Sequence, residues 1–435
     1  MDRKRKILSL LGSFLIHLVL GTLYITGNIS GYIASYLREH EHSVTIQDIN
    51  ILFTLQVTAS TMTNFLGSWI AQQYSPYISI IIGNSLLVLG IFASSFCKDL
   101  VSFSITYGFM FGLGCGLSYT TPLIIGWSHF PNSKGKVSGV IVGGFGLGAA
   151  IYNQIATKIV NPNNEKANIK VKDDGTTNHY FDSSIADGVP AMLRWLSLCY
   201  LIMSVVGILL LAPIIKQNKA EKDDYSCPNV KEGIKSHKFI MLFIASICST
   251  ASGYYVAGSY KSFGNEKIGD DDFLSIVGSV SSVFNGSFRY IWAYLMDRSN
   301  FRLAYGILLV IQIIMMATLY YISSVEALFF IWICVIMMCE GGHFSLFPTV
   351  MAKLFGRNMG AKIFGIFFFS FGFATIVIFL TQLYIVPSLG YQAMFWILTC
   401  LSGVSFVINW KFQEVSPWKP IIEEKEFALT VTEPN

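Results

Sequence analysis

The chain of 435 residues is 53% hydrophobic and 14% aromatic but only 13% charged, with a mean hydropathy of +0.55, whereas soluble domains carry about 25% charged residues. That deficit excludes an ordinary soluble domain, and a net charge of +4 with no basic face gives nucleic acid nothing to bind. No GxxxxGK[ST] loop is present for a nucleotide, and the eight cysteines form no CxxC pair or Cys/His ligand spacing, so neither a cofactor nor a metal is expected.

In chain order, the basic start Arg3-Lys-Arg-Lys6 runs into an apolar stretch over about 7–27. That stretch is long enough to cross a hydrocarbon core of about 30 Å, so it reads as a first spanning helix and not as a cleaved leader. Further apolar runs predict helices at about 49–70, 77–97, 100–127, 136–160, 190–214, 238–259, 273–296, 302–323, 326–350, 360–385 and 390–412. The fold class predicted is an all-α membrane protein, twelve transmembrane helices in two pseudo-symmetric six-helix bundles. Two long polar segments interrupt the short loops. The first, Asn161 to Gly188, is mixed in charge and Asn-rich and reads as a flexible exterior loop. The second, Lys216 to Lys235, divides the helices six and six. The bundles are then expected over 1–215 and 238–413, with a cytoplasmic linker at 216–237 and a cytoplasmic tail at 414–435, read as disordered beyond Trp418.

Lys and Arg crowd the N-terminal tail, the middle loop and the loops holding Lys134, Arg298, Arg302, Lys353 and Arg357. By the positive-inside rule both termini of this multi-pass protein are cytoplasmic, in a plasma or organelle membrane. The opposite loops carry Glu39, Glu41 and Asp270-Asp-Asp272, together with the sequon Asn28-Ile-Ser30.

One internal offset dominates. Adding 226 maps Gly116 to Gly342, Pro122 to Pro348, Lys136 to Lys362, Gly139 to Gly365, Phe145 to Phe371 and Gly146 to Gly372. A parallel repeat of six-helix halves resembles the major facilitator superfamily. Its loop signature, Gly, three residues, Asp-Arg, then a basic residue, survives in Ala293-Tyr-Leu-Met-Asp297-Arg298 with Arg302, the residues expected to form a gating loop. At Gly67-Ser-Trp-Ile-Ala71-Gln72 both charges are lost. Within the superfamily, Gly112-Leu-Gly-Cys-Gly-Leu-Ser-Tyr-Thr-Thr-Pro122, Gly143-Gly-Phe-Gly-Leu-Gly148, Asn285-Gly-Ser-Phe-Arg289 and Glu340-Gly-Gly-His-Phe-Ser-Leu-Phe-Pro348 resemble the oxalate/formate antiporter and monocarboxylate transporter-like branch. Small-residue runs of this kind also let helices approach closely.

Ionisable side chains within a span cost about 2.5 to 3.5 kcal/mol on insertion scales, so each asks for a reason. Four are read there: His17, Arg289, Glu340 and His343. Arg289 lies past the midplane of the eighth helix, where its planar fork suits a carboxylate, and the resemblance implies that an Arg at this place binds the anionic substrate. Two readings stay open: a substrate anchor, or a structural pair with Glu340. Glu340, His343 and His17 are the proton-coupling candidates, with a neutral His bonded to a backbone carbonyl as the plainer alternative for the two histidines. Oxalate-specific members pair the Arg with a Lys where Phe371 stands here; a single intramembrane cation favours a monocarboxylate over a dicarboxylate. Tyr24, Asn28, Tyr119, Tyr152 and Asn285 complete the expected lining.

The function expected is secondary active transport of a small organic anion, by proton symport or anion exchange, in a monomer whose partners are substrate, bilayer lipid and possible protons. The rivals are a zwitterion or amino-acid carrier, with Glu340 holding the amine, and a transport-inactive receptor or assembly subunit. An enzyme finds no supporting residues.

Overall fold

Apolar residues spaced for helices, capped by Asp, Ser, Thr and Asn, produce an almost entirely helical molecule in the computed structural model, which describes residues 2–130, 134–173, 176–213 and 227–418. The first span runs as α1 (Arg3–Leu20), one 3-10 turn (Gly21–Ile25) and α2 (Thr26–His40). Then follow α3 (Ile46–Gln73), α4 (Pro76–Ser94), and a fourth span made of α5 (Leu100–Phe103), a π-helical stretch (Ser104–Met110), α6 (Phe111–Tyr119) and α7 (Thr121–His129). The break between α6 and α7 falls at Thr120, two residues before Pro122, which cannot continue the hydrogen-bond ladder. Helix α8 (Lys134–Val160) leads into β1 (Ile169–Asp173), β2 (Thr176–Tyr180), α9 (Ser183–Ala186) and α10 (Val189–Leu210).

The second half holds α11 (Val230–Lys235), α12 (His237–Lys267), α13 (Asp271–Arg298), α14 (Phe301–Ile322), α15 (Glu326–Phe355), α16 (Arg357–Phe367) and α17 (Phe369–Lys411). Among the described residues nine stretches are long and apolar enough to cross a bilayer. The last of them, Lys362–Lys411, turns at Gly390, whose φ of +76° suits a residue without a Cβ, and so contains two helices. Helices α3 and α13, 28 residues each, have the length but are more polar. With these the described residues hold as many long helical stretches as the twelve expected, consistent with that count.

The long helices pack within each half, α3 on α6, α1 on α8 and α10, α13 on α15, and α12 and α14 on α17. Between the halves the closest contacts are α8 with α13, α3 with α17, and α2 with α12. Glycines set these crossings. A side chain at Gly146 would strike the backbone of Gly286, one at Gly27 the carbonyl of Ala257, and one at Gly372 the side chain of Thr61. The small-residue run of the fourth span likewise presses α6 onto α3, with Gly112 facing Gln56 and Gly116 facing Ser60.

Two expectations are corrected. The loop after the fifth helix is not a loose exterior segment: β1 and β2 pair antiparallel from Ile169–Tyr180 to Asp173–Thr176, and the hairpin is fastened to the bundle. Asn178 and Gln47 exchange amide hydrogen bonds of 3.2 and 3.1 Å, Phe181 N donates to Ser35 Oγ at 2.9 Å, and Arg38 stacks on Tyr180 at 4.8 Å. Asn28-Ile-Ser30 is no exterior sequon. The helix continues thirteen residues past the boundary expected at 27, because Gly27, Asn28, Ser30 and Gly31 are small enough to be buried against neighbours, and Asn28 is fully buried. The linker is partly helical, with α11 packing against α16 through Gly233 and Ile363; the rest of that linker, and the tail beyond 418, lie outside the described residues.

Candidate functional site

The halves meet around a small cavity of about 30 Å³ between α3, α6 and α8 on one side and α12 and α15 on the other. Tyr24, Thr61, Tyr119, Phe145, Tyr254, Phe344 and Phe368 are among its lining residues, so its wall is aromatic with a few hydroxyls. Arg289 stands behind this wall. Its guanidinium carbon lies 4.5 Å from the centre of the Phe344 ring and 5.7 Å from that of Phe145, so one aromatic from each half faces the charge. The backbone contact of Gly146 with Gly286 explains the second of these, since it carries the neighbouring Phe145 up to α13.

One turn before Arg289 on α13, Asn285 accepts from Arg289 Nη2 at 2.9 Å and donates to the Met337 carbonyl of α15 at 3.1 Å. Asn285 thus sets the orientation of the guanidinium. Nε and Nη1 are buried and have no hydrogen-bond partner among the described residues. A buried cation with an unused pair of donors is costly to maintain and fitted to receive an anion.

Glu340 does not supply that anion. Its carboxylate is fully buried, 3.6 Å from His343 Nδ1, and neither oxygen accepts a hydrogen bond among the described residues. Gly253 of α12 makes the space for it, because a Cβ there would run into the carboxylate. His343 stacks on Phe347 (5.9 Å) and meets Tyr305 edge-on (6.0 Å). His17 lies against Tyr119, ring centres 5.3 Å apart, and neither of its nitrogens has a hydrogen-bond partner of good geometry. Backbone carbonyls of Ser13 and Tyr119 face His17, and those of Cys339 and Glu340 face His343, so the plainer backbone-facing reading fits both positions.

The other expected residues divide. Tyr24 and Tyr119 line the cavity. Phe371 is buried behind it, 5.2 Å from Phe344 and 5.0 Å from Phe368, and braces two lining rings. Tyr152 is away from it, edge-on to Tyr200 at 4.9 Å within the first half. The Asp297-Arg298 loop forms no latch: both residues are exposed, Arg298 folds over Tyr294 (5.4 Å), and Arg302 over Trp410 (5.3 Å). Asp297 has no ion-pair partner among the described residues. Ala71 of the first-half counterpart is buried, and the Gln72 side chain lies outside the described residues.

A second buried cation went unread. Lys261, 2% exposed, lies inside α12, which runs eight residues beyond the end expected at 259. Its ammonium is 2.8 Å from Asp271 Oδ1 and donates to Asn28 Oδ1 (3.0 Å), Tyr32 Oη (3.1 Å) and Ser275 Oγ (3.0 Å). The Tyr32 hydroxyl donates to Asp271 Oδ2, which also accepts from Asn161 Nδ2 at 3.0 Å. Asn28 belongs to this network and not to the cavity wall. Gly269, with φ +70°, marks where α12 stops and was the available signal. Nothing in the sequence pointed to Asp271 as the partner. Because Lys261 is neutralised within the protein, it adds no free charge to the cavity, and the count of unpaired buried guanidinium or ammonium groups stays at one among the described residues.

A family model described as Major Facilitator Superfamily matches residues 242–433. The chain is 24% identical to apicoplast pyruvate carrier 1 of Toxoplasma gondii, over 83% of this chain and 80% of that protein. It is 21% identical to the oxalate:formate antiporter of Oxalobacter formigenes, over 84% and 82%. Among solved structures, the D-xylose-proton symporter superposes with a TM-score of 0.69 over 93% of this chain and 98% of that one, at 14% identity.

Proposed function

The chain belongs to the major facilitator superfamily, and from that premise we propose that it is an alternating-access carrier of a small monocarboxylate held by Arg289. It is a membrane transporter and not an enzyme. What supports the substrate class is the guanidinium itself: fixed by Asn285 through Nη2, backed by Phe344, with Nε and Nη1 unused beside an aromatic cavity. One unpaired cation matches one carboxylate, and aromatic walls match an apolar remainder. The relatives named for pyruvate and for oxalate and formate agree with a carboxylate cargo. A second carboxylate would enter without a partner, which a low-dielectric site penalises.

The zwitterion alternative requires Glu340 to face the same cargo, and its carboxylate is turned to Gly253 and His343 instead. That unpaired, buried carboxylate supports proton coupling at Glu340, with His343 beside it. The decisive experiment is uptake of labelled pyruvate, lactate and oxalate into proteoliposomes by wild type and Arg289→Ala. Pyruvate or lactate uptake that disappears in the variant is expected. Uptake undiminished by Arg289→Ala would reject the anchor, and a wild type that binds without exchanging label would favour a receptor. For Glu340→Gln, loss of stimulation by an imposed proton gradient is expected; an unaltered gradient dependence removes Glu340 from coupling.

A further inference from the structure

We infer that Lys261 and Asp271 form the latch that holds the face opposite the termini closed, and that its release is what lets this carrier open there. Helix α12 begins at His237 on the face of the termini, and Lys261 lies 24 residues on, roughly 36 Å along at about 1.5 Å per residue. The network is therefore at the far end of the bundle, well beyond the central cavity. Lys261, Asp271 and Ser275 come from the second half of the chain; Asn28, Tyr32 and Asn161 come from the first.

The division of labour matters. Both charges belong to one half, bonded to each other at 2.8 Å, and the other half contributes only neutral donors and acceptors. Parting the halves leaves the ion pair intact and breaks, among other contacts, five hydrogen bonds within this network: Lys261 to Asn28 and to Tyr32, Ser275 to Asn28, and Tyr32 and Asn161 to Asp271. Four of the five are charge-assisted, the stronger kind, yet no bare charge is left behind in either half. Such a latch holds firmly and can also be reopened. Toward the other face two matched positions stand open. Gly139, seven residues before Gly146 and so on the same side of α8, has no atom among the described residues near where a side chain would project, and neither has Gly365, seven before Gly372 on the repeat-related helix.

The inference rests on the alternating-access reading above, so the test reads conformation and transport separately. Nitroxides are attached through keto amino acids at the exposed positions Glu39 and Glu326 of full-length protein in nanodiscs, leaving the cysteines in place. The distance distribution is then compared among variants. Asp271→Asn and the milder Tyr32→Phe are expected to raise the long-distance fraction, Asp271→Asn by about tenfold or more, since it weakens at least two charge-assisted bonds. Lys158→Ala, which removes the exposed ion pair with Asp272 at 2.9 Å, is expected to change it little. Folded Asp271→Asn and Tyr32→Phe proteins with an unchanged distribution would overturn the latch, as would Lys158→Ala opening the face equally. If only the carrier reading is wrong, the distance still lengthens while wild type carries no labelled pyruvate; if only the latch is wrong, wild type transports and the distance does not move.

Discussion

Arg289 shows how a single residue type can narrow a function when its surroundings are known. Replacing it by Lys keeps the charge but loses the fork and the flat face on Phe344, so Arg289→Lys is expected to lose about 100-fold in pyruvate kcat/KM, two charge-assisted bonds being worth about 3 kcal/mol or more. Uptake kinetics with near-wild-type values for Arg289→Lys would mean a point charge suffices. Asn285→Leu frees Nη2 and removes the side-chain bond to the Met337 carbonyl that positions it, so a roughly tenfold rise in KM is expected, with the protein still folded. The residue-level reading of the sequence found Arg289, Glu340 and the tyrosines because charge within an apolar run is conspicuous. It misplaced Asn28 and Tyr152 because a polar tip on a helix does not announce which neighbour it faces. It missed Lys261 for a simpler reason: the helix was ended two residues before it, and a lysine in a loop asks for no explanation.

Among the elements, the helices were legible and their junctions were not. Apolar length alone placed α4, α10 and α14 closely, whereas α2 and the end of α12 are built from Gly, Ser, Asn and Tyr that read as loop until the packed neighbours are seen. The hairpin escaped for the opposite reason, since its pairing supplies through backbone bonds what its composition lacks in apolar residues. Asn178→Ala should lower bundle stability by about 1 to 2 kcal/mol by removing the exchanged amide bonds with Gln47, measurable as a lowered melting temperature in detergent. The glycines divide by environment. Gly146→Ala puts a methyl against Gly286 and is expected to destabilise by about 1 to 3 kcal/mol, while Gly139→Ala, with open space around it, should gain about 0.5 to 1 kcal/mol from helix propensity. Equal melting temperatures for the two variants would deny that the α8–α13 crossing depends on bare backbone.

For the whole molecule, the repeat offset carried the architecture further than any motif did, because duplication fixes which helices occupy equivalent places. It could not say which face is shut, since that depends on contacts the two halves do not share: the buried ion pair has no counterpart at the related positions Ser35 and Thr45. With the far face sealed and Gly139 standing in open space, an impermeant maleimide should label Gly139→Cys above the parent's native thiols and leave Ser279→Cys untouched. Equal labelling of both would place this conformation elsewhere in the cycle.

The matched glycines at 139 and 365 carry one more implication. Each half has there one place where the main chain stands bare of a side chain. When the two halves rock toward each other, neither glycine presents a side chain that must change rotamer before that end can shut.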